Sequence, residues 1–242
     1  MKSRNEIRVC AVIAIIFFLL LAVGCEKETP PPAETGTVTD KEGNVYKTVK
    51  IGNQTWMTEN LRATKYRSGV AVTQIESDTA AWRKDTTGAY CSGAYGNLYN
   101  WYAINSTKHK ITPYGWHIPT DIEWKVLEEY LGMSAEDADK VSWRGTHEGE
   151  KLKMTGPDNW VQHTDVWATN ESGFAALAGN CRLFNGKGGD PIGSGYMGFW
   201  WTNTEDTTNH QAWYRYLDYK TANVFRFYGP KTYGFSVRCV KD

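Results

Sequence analysis

Between Tyr196 and Phe235 the chain places thirteen of its thirty-three aromatic side chains. Each such ring buries roughly 150–250 Å² in a folded protein, so thirteen on a surface would show about 2,000 Å². The largest apolar patch on a typical monomer is about 300–600 Å². Most of these rings must be interior, which leaves roughly two to four for the surface. The local pattern says how they get there. In "QAWYRYLDY", Trp213, Arg215, Leu217 and Tyr219 share one face of a strand, and Ala212, Tyr214 and Tyr216 share the other. "TANVFRFY" and "YGFSVRCV" repeat the alternation, the latter aligning Phe235, Val237 and Cys239. "YKTAN" and "YGPK" read as turns of an antiparallel meander. The last third of the chain is β.

The rest is mixed. "TVTDKEGNVYKTVKIGNQTWMTENL" reads as short strands with tight turns, with Val45, Val49 and Ile51 on one parity. "RKDTTGAYCSGAYGNLYNWYAIN" is aromatic and Gly-rich, without a clear period. The clearest helix covers about 120–131, in "PTDIEWKVLEEYLG". Thr120 and Glu123 make a capping box, which satisfies two amides that a first helical turn leaves unpaired. Ile122, Val126, Leu127, Tyr130 and Leu131 form an apolar stripe with Trp124 beside it, and Gly132 ends the helix. "SAEDADKV" adds a short helical turn. The expected class is α+β, with small antiparallel sheets, one main helix and long loops.

The N-terminus reads as a processing signal. "MKSRNEIR" is basic, and Val9 to Val23 is an apolar run of fifteen residues. Spanning a bilayer takes roughly 20 residues, so the run fits a secretory signal better than an anchor. It ends in "LAVGC", which resembles the lipobox of bacterial lipoproteins, with Ala22 where leucine is commoner. That resemblance implies cleavage before Cys25 and acylation of its thiol; two or more chains anchor firmly where one does not. "EKETPPPAETG" then reads as an extended tether. The expected organisation is a signal peptide over residues 1–24, a lipidated cysteine with a Pro-rich tether over 25–36, and one domain over 37–242. The expected address is the outer membrane, facing the cell surface or the periplasm.

Charge removes one class of partner. The chain balances 27 basic against 27 acidic side chains. Loss of residues 1–24 takes Lys2, Arg4 and Arg8 with Glu6, leaving 24 against 26, net −2. No Lys/Arg cluster stands in the domain, so the electrostatic footprint of nucleic-acid binding is missing. Cys10 leaves with the signal and Cys25 carries the lipid, so Cys91, Cys181 and Cys239 allow one bridge in three ways. Cys91–Cys239 is the pair preferred. A domain of this size buries roughly 70% of its surface, which makes a bridge optional.

"GNQTWMTENL", "YGNLYNWYAIN", "GWHIPTDIEWKVLEEYLG", "TNESGFAALAGN", "GFWWTNTED", "AWYRYL" and "GFSVRCV" follow one another through the domain. In that order they resemble the signature blocks of the Fibrobacter succinogenes major paralogous domain (FISUMP) family. The resemblance implies a lipoprotein or secreted module of Bacteroidota and Fibrobacteres with a C-type lectin-like fold. Formylglycine-generating enzymes share that fold group, and "HIPTDIEW" and "GFSVRC" echo two of their blocks. The family carries no firm biochemical activity, so the resemblance implies architecture and address more than chemistry.

Catalytic patterns are absent where they would be sought. A formylglycine-type site needs cysteines shortly before the terminal block, and none lies between Cys181 and Cys239. "GSGYMG", Gly193 to Gly198, matches a nucleotide-binding loop by letter, but a strand-like "FWWTNT" follows where a helix is required. His109, His117, His147, His163 and His210 show no metal-ligand spacing, and "HEGE" lacks the second histidine of a zinc helix. Ser194 sits outside any nucleophile elbow. No cofactor is expected. Calcium is the exception left open at "TNTED", although it takes 6–8 oxygens in roughly bipyramidal sites and the loop offers Asn203, Glu205 and Asp206.

The expectation is a membrane-anchored binding module for an extracellular glycan or a surface protein. Trp201, Asn203, Glu205 and Asp206 are its ligand-binding candidates, with Trp213 inside the fold. The alternative is a structural or adhesive module without a small ligand; an enzyme is less favoured.

Overall fold

Alternation lets one strand serve two cores, one on each face, and this fold uses that repeatedly. The computed structural model describes residues 34–183 and 195–242. Strands β1 (Thr35–Thr39), β2 (Val45–Ile51), β3 (Gln54–Met57) and β4 (Thr73–Gln74) come first, then helix α1 (Thr79–Lys84). β5 (Ala89–Gly93), β6 (Gly96–Tyr99), α2 (Trp101–Ile104) and β7 (Trp116–His117) precede the main helix, α3 (Asp121–Tyr130). Next are α4 (Ala135–Asp139), β8 (Ser142–Arg144) and α5 (Glu148–Leu152). The last third holds β9 (Met197–Asp206), β10 (Gln211–Asp218), β11 (Val224–Gly229) and β12 (Val240–Lys241). Three sheets result, in the orders β1-β2-β3-β12-β7, β8-β11-β10-β9 and β4-β5-β6. Only β4 and β5 pair in parallel among the described strands. The class is α+β, with small sheets and short helices. Among the described residues no helix is long and apolar enough to cross a membrane.

Two main cores absorb the aromatics. Tyr99, Trp101, Phe199, Trp201 and Phe235 belong to one, and Trp56, Trp124, Phe174 and Trp200 to the other. β9 divides its side chains between them, Phe199 and Trp201 to the first and Trp200 to the second. The terminal segment does the same, sending Phe235, Val237 and Cys239 one way and Val240 the other. β2 shows the same division and a correction. Val49 and Ile51 enter the second core, but Val45 is exposed and Tyr46 enters the first.

Of the expected meander, the step from β10 to β11 holds as an antiparallel pair, and β9 pairs antiparallel on the other side of β10. The meander does not extend to the terminal segment. Ser236 bridges Trp200 in parallel, Phe235 bridges Tyr99, and Val240 pairs with both Trp56 and His117. The chain end therefore threads between the sheets.

α3 begins as expected, with the Thr120–Glu123 capping box formed. Its stripe is turned, however. Ile122, Val126 and Tyr130 are 68%, 45% and 64% exposed, while Asp121, Trp124, Leu127, Glu128 and Leu131 are buried. The cause is ionic. Arg215 of β10 is fully buried, and its Nη1 donates to Asp121 Oδ1 and its Nε to Glu128 Oε1, both at 2.7 Å. Arg226 of β11 clasps Asp121 through Nε at 2.9 Å and Nη2 at 2.7 Å. Arg144 of β8 donates to Glu128 Oε2 at 2.7 Å. Burial alone would raise the Asp121 pKa, but the bonds and charges of Arg226 and Arg215 hold it at about 2. An unpaired buried cation costs more than an exposed isoleucine, so the helix turns its carboxylates inward.

Glu128→Ala should strip Arg215 and Arg144 of a carboxylate and lower unfolding free energy by about 3–5 kcal/mol. Ile122→Lys should stay within about 0.5 kcal/mol. Denaturant titration of both variants checks this, and comparable losses would refute the orientation of α3.

Candidate functional site

The "TNTED" stretch is shaped by an irregularity in β9. Tyr214 pairs with Trp201, yet Ala212 pairs with Glu205, so Trp213 faces three residues, Thr202 to Thr204. Such a bulge breaks the ladder and re-aims side chains. The freed Asn203 amide donates to Pro119 O at 2.8 Å, and Thr204 Oγ1 accepts the Asp121 amide at 2.9 Å. The start of α3 is thereby tied to β9, with one of its orphan amides satisfied.

Asn203 then lines a cleft of about 200 Å³. Ile104, Ile111 and Ile118 supply apolar wall, and Arg67, Lys110 and His117 supply cationic groups. The Asn203 Oδ1 is buried and accepts no hydrogen bond among the described residues. Arg67 braces the turn beneath, donating through Nε to Thr112 O at 2.6 Å and through Nη2 to Thr112 Oγ1 and Trp116 O, each at 2.7 Å.

His117 sits between two carboxylates. Its Nε2 meets Glu123 Oε1 at 2.7 Å and its Nδ1 meets Asp242 Oδ1 at 2.6 Å. Both ring nitrogens donate only in the imidazolium. Partial burial opposes that charge, but the hydrogen bonds to Asp242 and Glu123 outweigh it and raise the pKa. The second oxygen of Glu123 caps α3 by accepting from Thr120 N at 2.7 Å.

The predicted site residues are scattered. Trp201 is fully buried, donates to Tyr99 O at 2.8 Å and packs on Phe235, so it leaves the list of ligand contacts. Its parity on β9 points it into the first core. Glu205 pairs with Lys231 Nζ at 2.5 Å. Asp206 caps its own turn, accepting from Asn209 Nδ2 at 2.6 Å and Thr208 N at 3.3 Å. With Asn203 in the cleft, the three residues have three different neighbourhoods and do not form the calcium set considered from sequence. Among the described residues no group of three or more His, Cys, Asp or Glu could hold a metal.

Two other expectations need correction. Trp213 is half-buried, because it roofs the ionic cluster: the Arg226 guanidinium lies 3.8 Å from its ring centroid. Cys91 and Cys239 are free thiols buried in different hydrophobic clusters, which keeps them from pairing. Burial pushes both thiols up, and Cys181 to about 12. Cys25, Gly193 and Ser194 lie outside the described residues.

Aromatic rings line up across the four-stranded sheet. Trp143, Phe225, Tyr216 and Phe199 are in register across β8, β11, β10 and β9. Successive ring centroids are 5.0, 5.7 and 4.5 Å apart. Phe227, Tyr214 and Trp201 form a parallel row. Trp143 is 41% exposed, and Phe225, Phe227, Tyr214 and Tyr216 are half-buried. The alternation in "AWYRYL" and "NVFRFY" carried part of the signal; the three-residue β8 carried none.

The His117 clasp has a pH signature. A raised histidine pKa gives stability that is complete below the unfolded value of about 6.5 and is lost as pH rises through the folded value. The unfolding-midpoint gap between native protein and His117→Gln should thus be larger at pH 6 than at pH 9 (~2.5 units above the unfolded value). A gap that widened towards alkaline pH would refute the clasp.

No curated protein and no solved structure matches the chain. The model of the Fibrobacter succinogenes major domain family matches residues 49–241, a span that takes in β3 to β12, the ionic cluster, both aromatic rows and the cleft apart from Asp242. The chain belongs to the Fibrobacter succinogenes major domain family.

Proposed function

We propose that the protein is a lipid-anchored extracellular module that binds a glycan on the aromatic face of its four-stranded sheet. The registered row Trp143–Phe225–Tyr216–Phe199 is the observation that carries this reading. Aromatic faces bear negative charge density, and the C–H faces of a pyranose are positively polarised. Rings aligned across the strands, set edge-to-face at Trp143–Phe225 and Phe225–Tyr216 and most exposed at the Trp143 end, offer apolar surface to a sugar laid across them. Binding is favoured over catalysis because His117 is spent between two carboxylates and the cysteines are held as thiols. The α+β arrangement of small sheets and loops is compatible with a C-type lectin-like fold. A second reading, a surface module that docks a protein, draws support from the exposed Ile122, Val126 and Tyr130 of α3.

Stacking a flat ring on an aromatic side chain is worth about 1–3 kcal/mol where bases are the ligand. Trp143→Ala combined with Phe225→Ala should therefore weaken polysaccharide binding at least ~10-fold while the circular dichroism spectrum is kept. Affinity electrophoresis and pull-down against plant, host and bacterial polysaccharides would measure it. A blank panel for the native protein would sink the glycan reading.

The address has its own test. Cys25→Ala should shift the protein from the membrane fraction to the soluble one. Unchanged fractionation would mean that the apolar run from Val9 to Val23 stays attached as the anchor.

A further inference from the structure

The Asn203 cleft is a different place from the aromatic rows, and the glycan reading does not use it. We infer that it binds a small hydroxylated carboxylic acid the size of a single hexuronic acid. Three observations converge on that chemistry.

The first is the Asn203 carbonyl. Its Oδ1 is buried without a donor among the described residues, and such a group costs about 1–3 kcal/mol. The ligand must therefore bring a donor, as a hydroxyl does. Thr112 Oγ1 accepts from Arg67, and Asp242 Oδ1 is taken by His117.

The second is charge. Lys110 lines the cleft and forms no ion pair among the described residues. Arg67 spends Nε and Nη2 on the Thr112–Trp116 turn and stacks on Tyr114, and among the described residues its Nη1 makes no hydrogen bond. His117 is held between Glu123 and Asp242, which offset its charge, so the cationic excess rests on Lys110 and Arg67. An excess of cations in a cleft attracts an anion, and a guanidinium is matched to a carboxylate.

The third is size and surface. The volume of about 200 Å³ is below the roughly 300 Å³ at which pockets for drug-sized ligands begin. One sugar ring fits; an oligosaccharide does not. Ile104, Ile111 and Ile118 offer apolar wall to a ring's C–H face. Inorganic sulfate has neither such a face nor a donor for Asn203.

Isothermal titration calorimetry on the detergent-solubilised full chain, at constant ionic strength, tests this with sodium D-glucuronate, D-glucose and sodium sulfate. Saturable glucuronate binding is expected, with glucose at least ~10-fold weaker. Asn203→Ala and Lys110→Glu should each weaken glucuronate at least ~10-fold, and Lys110→Glu should leave glucose unaffected. Lys110 is exposed, so that variant does not challenge the fold. Absence of saturable glucuronate binding would overturn the site. Equal affinity for glucose would overturn the carboxylate, and equal competition by sulfate would overturn the hydroxyl. The probe is a free monosaccharide, so its result stands whether or not polysaccharides bind the aromatic rows.

Discussion

Five charged side chains are buried between α3 and the sheet beneath it: Asp121, Glu128, Arg144, Arg215 and Arg226. Desolvating such groups costs several kcal/mol each, and only close pairing makes it tolerable. The pairing dictates geometry. Asp121 and Glu128 must face Arg215, so Ile122, Val126 and Tyr130 must face out. Because three arginines come from β8, β10 and β11, the same contacts lock the helix to three strands at once. Downstream features follow from that placement. Helix α3 is held with its first turn beside β9, where Thr204 caps the Asp121 amide and Glu123 reaches His117.

Other buried cations do a related job without carboxylates. Arg238 is fully buried, donates to the Phe174 and Ala175 carbonyls and lies over the Phe174 ring at 4.3 Å. Lys153 donates to the Asp218 and Thr221 carbonyls at 2.6 and 2.7 Å. Burial lowers the first to about 9 and the second to about 8. Both tie irregular backbone to the second core. In a domain with few long elements, many carbonyls have no ladder partner, and each needs a donor if it is buried. Long cationic side chains supply several donors from one point, with their stems packed against aromatic rings.

Much of this was legible in the residues, and the failures share a cause. The capping box, the β10–β11 hairpin and the interior destination of most rings follow from local rules, and the structure agrees with them. The outward placement of Ile122, Val126 and Tyr130 on α3 does not, because periodicity counts apolar residues and takes carboxylates as solvent-facing. Arg215 reads as a polar interruption in "AWYRYL" until its partners are known to lie 87 and 94 residues away. Trp201 lies inside and Trp213 only half inside for a related reason: a two-sided strand between two cores has no outside face, and the bulge at Thr202–Thr204 removes the register on which parity depends. The cleft was out of reach because its groups come from separate stretches around Arg67, Lys110, His117 and Asn203, none with a spacing that marks a site.

The exposure of the aromatic face follows from where the chain end runs. Phe235 stacks on Phe199 and packs against Trp201, and Ser236 bridges Trp200, so the terminal segment covers the β9 side of the sheet. Val240 must then reach Trp56 and His117 in another sheet. That route takes it away from β11 and β8. Burial accordingly falls across the row, from Phe199 and Trp201 inside, through half-buried Tyr216 and Phe225, to Trp143 at 41% exposed on the edge. Such a gradient is a liability on a free edge strand, where apolar side chains and unpaired amides invite aggregation. β8 limits it by being three residues long and by spending Arg144 inward on Glu128. The fold leaves ring surface exposed while offering little edge for another strand to join.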